Sequence, residues 1–418
     1  MMAKKDHDHE EAFGAAPHER PVPRISIAAF VEFPDTGAAL QRAGADRRLG
    51  KAHMNVQLGG INAAVEHFQG QVTPNLLVVE TRLNGQAALE ELDRLAEVCD
   101  PATKVIVVGR VNDVELYREL MRRGASEYLV APLNPLHLIE VISGLYLDPE
   151  AAPIGRVVSF VAARGGVGSS CLAHNVGWCI AEELQINTTI IDLDLPFGTT
   201  GLDFNEEPTQ GVADALSAPE RLDDVLLDRL LVKRGEHLSI FATPASVDRD
   251  YDSPVDAFES VLDAVRASTP CVIVDVPHLW TPWIRATLIA SDDIVVVATP
   301  DLASLRNAKN IVELLRQHRS NDAPPKLVLN QTGIAKRPEI PVKDFAETVG
   351  VEPSLVMPFD PQLFGNAANN GQMLNELAPK SLAAAGIRRL AEIVTGRVPQ
   401  PIQKPSPIFS LFAGKKRA

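Results

Sequence analysis

Short apolar runs alternate with helix-length amphipathic segments along the first third of the chain. The runs typical of β-strands cover residues 25–31, 54–58, 75–80, 104–109 and 127–130. Between them, segments such as 85–98 and 113–124 place apolar residues three to four positions apart, and a last helix is predicted over 134–146. Five strand-helix units in succession predict a parallel sheet covered by helices on both faces.

A second and longer alternating series follows a short polar segment. Residues 148–155 contain two prolines and a glycine and are predicted to be a linker. The later strand-like runs cover 156–162, 188–193, 238–242, 271–276, 293–299, 326–330 and 354–358, with a helix over 301–318. We therefore predict an α/β chain with a disordered tail (1–23), a (βα)5 domain (24–147), the linker, a larger doubly wound domain (156–398) and a Pro-rich tail (399–418).

Composition narrows the classes of function. The chain has 418 residues, with 40 basic and 54 acidic side chains and a formal net charge of −14. This balance disfavours general binding to nucleic-acid phosphates. No apolar run approaches the roughly 18–20 residues that span a bilayer, and the polar N-terminus does not resemble a secretory signal. Four cysteines without CxxC spacing argue against a disulfide framework or a zinc ribbon and suit a reducing cytosol.

A glycine-rich loop is the most informative stretch. The apolar run 156–162 leads into the sequence RGGVGSS over residues 164–170, and a helical pattern follows. Glycines let backbone N–H groups turn around a phosphate, and the helix N-terminus adds its positive dipole end. The candidate nucleotide-binding residues are Gly165, Gly166, Val167, Gly168, Ser169, Ser170 and Cys171. Ser170 stands where a phosphate-loop hydroxyl would bind Mg²⁺. The open alternative is a tight strand-to-helix turn without a ligand.

This loop resembles the deviant Walker A motif, KGGxGK[ST], of the MinD/ParA family of P-loop ATPases. The resemblance aligns the family's early signature lysine with Arg164 and its second lysine, which contacts the phosphates, with Ser169. Losing a charge-assisted hydrogen bond of about 1.5–3 kcal/mol weakens nucleotide binding roughly 10- to 150-fold. In the family the signature lysine reaches the partner's nucleotide across a dimer, and the resemblance implies the same catalytic role for Arg164.

Acidic residues end two of the predicted strands. In the family a second-strand aspartate helps to orient the attacking water and the metal shell, and the match here is Asp194, with Asp192 at the strand end. Asp275 ends the apolar run 271–276 as a Walker B aspartate does, and would hold Mg²⁺ through water. Strand ends of a doubly wound sheet face one crevice. The expected metal set is therefore Ser170, Asp194 and Asp275, although each acid alone could be a cap or turn residue.

Two later segments resemble the adenine side of the family's site. KLVLNQTG (326–333) offers Asn330 as a base contact, and VMPFDPQLFGNAANNGQML (356–374) places Pro358 and Asp360 near the base. The cofactors implied by the resemblance are ATP and Mg²⁺. His174 and His278 are expected to be packing or hydrogen-bonding residues, because no nucleophile pattern accompanies them.

The amino-terminal domain resembles a response-regulator receiver, which takes phosphate on an aspartate that ends the third strand. Here Glu80 ends that strand, Gly109 ends the fourth, and Ala131 and Pro132 follow the fifth without the lysine of the family. We therefore expect a degenerate receiver that serves in docking or self-association and is not phosphorylated.

A degenerate receiver joined to a MinD/ParA-type domain is the arrangement of the CpaE/TadZ proteins of Tad-type (Flp) pilus assembly. The strings DVPHLWTPW (275–283) and NAANNGQM (366–373) also resemble that group. The resemblance implies a cytoplasmic homodimer that marks the site or pole of pilus assembly. It also implies recruitment of the assembly ATPase and of inner-membrane platform proteins.

The C-terminal tail combines apolar and basic residues. Ile408, Phe409, Leu411 and Phe412 precede Lys415, Lys416 and Arg417. This pattern suggests a peripheral contact with the inner face of the membrane. The alternative is a disordered tail whose apolar residues dock on protein.

Two hypotheses of function remain from the sequence. One is a nucleotide-dependent positioning factor that hydrolyses ATP slowly or not at all. The other is a pseudo-ATPase scaffold with an empty site, which the serine at position 169 favours. A fully competent ATPase ranks third, so the sequence leaves enzymatic activity open. A DNA-partitioning ATPase is disfavoured by the charge of −14.

Overall fold

The computed structural model describes residues 22–146, 154–244, 246–248 and 253–397. The predicted C-terminal membrane contact and most of the N-terminal tail lie outside these ranges. Residues 22 and 23, which the sequence assigns to that tail, are part of the fold. Val22 is buried in the amino-terminal core, and its N–H donates to Arg48 O at 2.8 Å. Val22 therefore belongs with the amino-terminal unit, which the sequence analysis began at residue 24 because a single valine carries no periodicity.

The amino-terminal unit is a five-stranded parallel sheet in the order β2-β1-β3-β4-β5. Its strands are β1 (Ser26–Val31), β2 (His53–Leu58), β3 (Leu76–Glu80), β4 (Lys104–Gly109) and β5 (Glu127–Val130). Its helices are α1 (Pro34–Gly44), α2 (Gly60–Phe68), α3 (Gln86–Ala96), α4 (Val114–Arg122) and α5 (Pro135–Tyr146). One apolar cluster lies on each face of the sheet, as the alternating pattern predicts for a sheet covered on both sides.

The second unit is an eight-stranded sheet in the order β13-β12-β11-β6-β10-β7-β9-β8. Its strands are β6 (Arg156–Ala162), β7 (Thr188–Asp192), β8 (Val232–Lys233), β9 (Leu238–Phe241), β10 (Cys271–Val276), β11 (Asp293–Ala298), β12 (Lys326–Thr332) and β13 (Pro353–Pro358). All pairings are parallel except β8 with β9. The two-residue β8 escaped the sequence analysis because it is too short to show a period of two.

Eleven helices cover the two faces of this sheet in the described part of the chain. They are α6 (Ser169–Glu182), α7 (Thr200–Asp203), α8 (Val212–Ser217), α9 (Asp224–Leu230), α10 (Val255–Ser268), α11 (Pro282–Ala290), α12 (Leu302–His318), α13 (Val342–Val349), α14 (Pro361–Asn370), α15 (Leu374–Leu377) and α16 (Leu382–Val394). Strands β6, β10 and β11 are buried almost throughout, which explains their continuous apolar runs. The predicted α/β fold class is confirmed.

The two units meet through several ion pairs, most of which are buried. A 3-10 turn, Arg47–Leu49, follows α1 and projects from the first unit against the second. The ion pairs across this contact join Arg47 to Asp292 at 3.1 Å and to Asp322 at 2.7 Å, Arg48 to Asp322, and Lys51 to Asp263. The linker also ends in contact with the second unit, where the Gly155 N–H donates to Arg266 O at 2.6 Å. Ion pairs as well as the linker therefore hold the amino-terminal unit against the larger one.

Candidate functional site

The glycine loop joins β6 to α6 in a conformation that glycine permits. Gly166 has φ 78° and Gly168 has φ 86°, and α6 begins at Ser169 directly after this second left-handed residue. A Cβ on Gly168 would lie 2.7 Å from Asn330 Nδ2, whereas one on Gly166 would meet open space. Both positions thus need the backbone freedom of glycine. At position 168 the close approach of Asn330 also excludes a side chain.

Two side chains of β12 hold the carbonyls of this loop. Asn330 Nδ2 donates to Val167 O at 2.8 Å, and Gln331 Nε2 donates to Gly166 O at 3.0 Å. Asn330 is buried, and its Oδ1 accepts the N–H of Gln331 at 2.9 Å. The residue predicted to contact the base therefore also clamps the loop, a contact that the sequence analysis missed.

A cavity of about 570 Å³ opens beside the loop. Its lining residues include Gly165 to Cys171, Asp194, Thr199, Asp203, Pro277, His278 and Asn369. The structure thus brings the loop and Asp194 to one space, as the common direction of the strand ends predicts. Asp275 lies buried at the end of β10 and is not part of the lining.

The charges that face this cavity are mainly acidic. Among its described lining residues, Asp194 and Asp203 carry carboxylates and none is lysine or arginine. Arg164 stands exposed at the start of the loop, and its Nη2 lies 3.3 Å from Asp301 Oδ2 and 3.4 Å from Thr299 Oγ1. Arg164, which aligns with the signature lysine, is therefore already paired with Asp301 of the same chain. The sequence analysis did not single out this aspartate.

Behind the loop, His174 joins three acids in a buried network. Its Nδ1 lies 2.7 Å from Asp203 Oδ2 and its Nε2 lies 2.8 Å from Thr200 Oγ1. Thr200 donates its one hydroxyl proton to Asp192 Oδ2 at 2.7 Å, so Nε2 must be the donor in its own bond with Thr200. Nδ1 faces a carboxylate and donates as well. Both ring nitrogens therefore carry protons, and His174 is a buried cation, with Nε2 also 3.6 Å from Asp275 Oδ2.

The pKa shifts of this network follow from burial and charge. Burial by itself lowers the pKa of His174, but the hydrogen bond to Asp203 and the nearby carboxylate of Asp275 outweigh it and raise that pKa to about 10. Burial raises the pKa of Asp192 to about 6, with repulsion from Asp275 adding to the effect. Burial and Asp275 also raise the pKa of Asp194. Crowded carboxylates of this kind attract cations to the site.

Two buried polar atoms near the loop lack a hydrogen-bond partner among the described residues. They are Ser169 Oγ and Asp275 Oδ1. Buried polar atoms are normally satisfied, so each needs an explanation such as a ligand or water. The unsatisfied oxygen of Asp275, the half-buried Ser170 hydroxyl and the Asp194 carboxylate are oxygen donors of the type that Mg²⁺ prefers. The oxygen ligands present fit the magnesium ion of a magnesium nucleotide, although the loop lacks the phosphate-binding lysine.

A smaller cleft adjoins this cavity on the side of β12 and β13. Its volume is about 100 Å³, and it is lined by Gly168, Cys171, Asn330, Gln331, Pro358, Phe359, Asp360, Pro361 and Phe364. The residues predicted to surround the base are thus brought together. Asp360 also caps α14, since its Oδ1 accepts the Leu363 N–H at 3.0 Å.

In the amino-terminal unit, Glu80 fills the position of a receiver's phosphorylated aspartate. It is fully buried. Its Oε2 accepts the N–H groups of Glu32 and Phe33 at 2.8 and 3.0 Å, and its Oε1 accepts the Thr36 hydroxyl at 2.8 Å. Arg110, 3.7 Å from Glu80, also stacks on the Phe33 ring. These contacts satisfy both oxygens of the Glu80 carboxylate within the amino-terminal unit.

No described helix combines the length and the apolar character that crossing a membrane requires. That finding covers only the parts of the chain that the structure describes.

Comparisons with known proteins relate both units to characterised families. No family model matches the chain. A pilus assembly protein CpaE from Caulobacter crescentus CB15 is 53% identical, over 31% of this chain and 98% of that one, with a TM-score of 0.30. A ParA family ATPase from Chlorobium tepidum TLS is 26% identical, over 56% of this chain and 98% of that one, with a TM-score of 0.52. The septum site-determining protein MinD of Synechocystis is 22% identical over 254 residues, 57% of this chain and 90% of that protein.

The two kinds of relative account for different parts of the molecule. The CpaE match falls in the amino-terminal region and rests on its sequence identity, while the ParA match supports a MinD/ParA-type fold for the larger unit. The resemblance seen in the sequence is confirmed. Because 53% of the aligned residues are identical over nearly the whole of that relative, this chain belongs to the CpaE family of pilus assembly proteins, within the MinD/ParA superfamily.

Proposed function

We propose that this protein is a nucleotide-binding assembly factor for a Tad-type pilus or secretion apparatus, with weak or no hydrolysis of ATP. The observation that supports it most is the glycine loop, whose left-handed Gly166 and Gly168 border a cavity that Asp194 shares. The pilus role follows from membership of the CpaE family. Recruitment of an assembly ATPase and of inner-membrane platform proteins belongs to the same proposal.

The proposed roles of the residues follow from their places around the cavity. Backbone N–H groups of residues 165–171 would cradle phosphate oxygens, helped by the N-terminus of α6. Ser170, Asp194 and Asp275 would hold Mg²⁺, which neutralises phosphate charge when it is bound. Asp194, on the cavity wall, would orient water, and Asn330, Pro358 and Asp360 would border the base.

Weak hydrolysis is proposed because the cavity offers little positive charge to a transition state. Charge that develops on a transferring phosphoryl group is normally stabilised by lysine, arginine or metal ions. Ser169 cannot supply it, and Arg164 is held by Asp301 at 3.3 Å. Binding without efficient turnover fits this arrangement best.

A homodimer is proposed through the face that carries the cavity. Leu202 lines the cavity and is exposed, and the exposed apolar residues Phe197, Leu279 and Trp280 are within two positions of other lining residues. Exposed apolar side chains that gather on one face favour a protein interface. Across such an interface Arg164 would have to leave Asp301 in order to reach the nucleotide of the second copy, the role that the family resemblance implies. The location proposed is the cytoplasm, at the inner face of the membrane or at a cell pole.

Calorimetry of Mg-ATP and Mg-ADP with the full chain, beside a phosphate-release assay, tests the proposal. We expect binding in the micromolar to millimolar range with little phosphate release. Gly168→Ala is the loop variant and should weaken binding, whereas Gly144→Ala on α5, whose Cβ would have room, is its control and should not. Saturable binding with rapid turnover would contradict the claim of weak hydrolysis. No binding at millimolar nucleotide by folded protein would contradict nucleotide dependence.

A second candidate is a nucleotide-free scaffold that recruits pilus assembly proteins. The acidic lining of the cavity favours it, since Asp194 and Asp203 repel phosphate in the absence of a cation. The same calorimetry separates the two, because a scaffold would bind neither nucleotide with or without Mg²⁺.

A further inference from the structure

Helix α11 connects two regions that the proposed function treats separately. It begins directly after the loop 277–281, in which Pro277 and His278 line the phosphate cavity. Thr281 caps that end, its hydroxyl accepting the Ile284 N–H at 3.3 Å. The nine-residue helix is about 13 Å long and ends at Ala290, where the amino-terminal domain is seated. One rigid element therefore has an end at each site.

The far end of α11 is completed by a residue of the other domain. Arg47 donates from Nη1 to Ala290 O at 3.2 Å and to Asp292 Oδ1 at 3.1 Å. Arg319 donates to Ser291 O at 2.6 Å. The last carbonyls of a helix need donors and favour positive charge. Because α11 has no basic residue in its own last turn, part of this need is met by the amino-terminal domain.

The loop 277–281, which precedes α11, has fewer buried contacts than the other end of the helix at Ala290. Leu279 is 59% exposed and Trp280 is 54% exposed. The loop is tied down by the Leu279 N–H, which donates to Pro277 O at 2.7 Å, and by His278 Nδ1, 3.1 Å from Ala162 O. A segment with few buried contacts opens at low cost in free energy. Its conformation is therefore sensitive to small shifts of the helix that follows it.

The body of α11 transmits such shifts because it is packed on one side. Ile284 and Leu288 are fully buried, and the Trp283 ring stacks on Phe258 of α10 with centroids 4.0 Å apart. Close-packed helices move as units instead of bending locally. Packing of this kind favours movement of α11 as one body between residue 281 and Ala290.

We propose that α11 couples the phosphate cavity to the amino-terminal domain, with Arg47 as the contact through which that domain biases the 277–281 loop. The consequence for nucleotide rests on the proposed function, whereas the mechanical link is a property of the free chain. Coupling between two sites is reciprocal. A change at Arg47 alters the loop, and a ligand in the cavity alters the domain contact.

Hydrogen exchange of the full-length protein, without nucleotide, tests the link directly. In Arg47→Met we expect the amides of residues 278–281 to exchange about fivefold faster, a typical size for coupling between sites. Lys51→Met is the matched control, because it breaks another ion pair across the domains, to Asp263 on α10, without touching α11. It should leave exchange in the loop unchanged. Arg47→Lys keeps the charge but loses the fork that reaches several acceptors, and should lie between.

The outcomes separate this inference from the proposed function. Unchanged exchange at 278–281 in a folded Arg47→Met protein, or an equal rise in Lys51→Met, overturns the coupling. If Arg47→Met does not fold, Arg47→Lys decides the matter by the same comparison. Calorimetry with Mg-ATP is run in parallel. A wild-type protein that binds no nucleotide contradicts the proposed function and leaves the exchange result standing, whereas equal affinities in wild type and Arg47→Met overturn the coupling.

Discussion

Ser169 is the residue at which the loop departs most from an ordinary phosphate-binding loop. Its side chain is buried at the N-terminus of α6, and its hydroxyl has no partner among the described residues. We expect Ser169→Lys to tighten ATP binding roughly 10- to 150-fold, since it restores one charge-assisted hydrogen bond. Ser169→Met adds similar bulk without charge and should not tighten binding. Calorimetry measures both, and equal affinities for Lys and Met would show that the missing charge is not what limits binding.

His174 makes stability depend on pH in a direction that its contacts determine. Its folded pKa of about 10 lies above the unfolded value, so its contribution to the free energy of unfolding is complete below about pH 6.5 and is lost as pH rises towards 10. Asp192, with a pKa of about 6, is already ionised over the upper part of that window. Its raised pKa favours the folded state only at lower pH.

We therefore expect the melting temperature of the wild type to fall more steeply between pH 7 and 10 than that of His174→Gln. Thermal unfolding at several pH values measures this difference. His137→Gln is the control, because His137 is an exposed residue beside Glu140 on α5. Parallel pH profiles for wild type and His174→Gln would show that His174 is not a stabilising cation.

At the scale of elements, the loop between β6 and α6 depends on how closely β12 approaches it. A side chain at Gly168 meets both an unfavourable φ of 86° and Asn330 Nδ2 at 2.7 Å, whereas one at Gly166 meets only the φ of 78°. Gly168→Ala should therefore lower stability by about 1–2 kcal/mol for the left-handed residue, plus the cost of moving Asn330. Gly166→Ala should show the first effect alone. Denaturant unfolding compares the two, and equal losses would mean that the contact with Asn330 does not restrain the loop.

The sequence predicts the elements better than it predicts their contacts. Apolar runs located the strand ends at Asp192 and Asp275, because parallel strands buried on both faces consist of nearly continuous apolar residues. The clamp of Asn330 on Val167 spans 163 positions of the chain, and no local pattern reveals a pair so distant. The pairing of Arg164 with Asp301 and the identity of the acidic partners of His174 were missed for the same reason. A lone histidine in α6 carries no signal until the fold brings acids from β7, α7 and β10 around it.

At the scale of the whole molecule, the network around Asp322 decides whether the two units unfold together. Asp322 accepts from Arg47 at 2.7 Å and from Arg319 at 2.9 Å, and it also pairs with Arg48. Its side chain is nearly inaccessible to solvent. Removing one partner of a buried ion pair costs about 3–5 kcal/mol, because the remaining charges stay buried. The cost here falls on the contact between units, since two of the three arginines belong to the amino-terminal domain.

We expect Asp322→Ala to split one calorimetric unfolding transition into two, with the amino-terminal domain and the larger domain melting separately. Cooperative unfolding requires that the contact between domains be worth a large part of the stability of the weaker one. Asp263→Ala is the control, because its ion pair with Lys51 is partly exposed and exposed pairs contribute only about 0–1 kcal/mol. A single transition retained in Asp322→Ala, or two transitions already present in the wild type, would mean that these buried charges do not unite the domains. A split confined to Asp322→Ala would show that the amino-terminal domain is a fixed part of the molecule, which is the condition that α11 needs to act between its two ends.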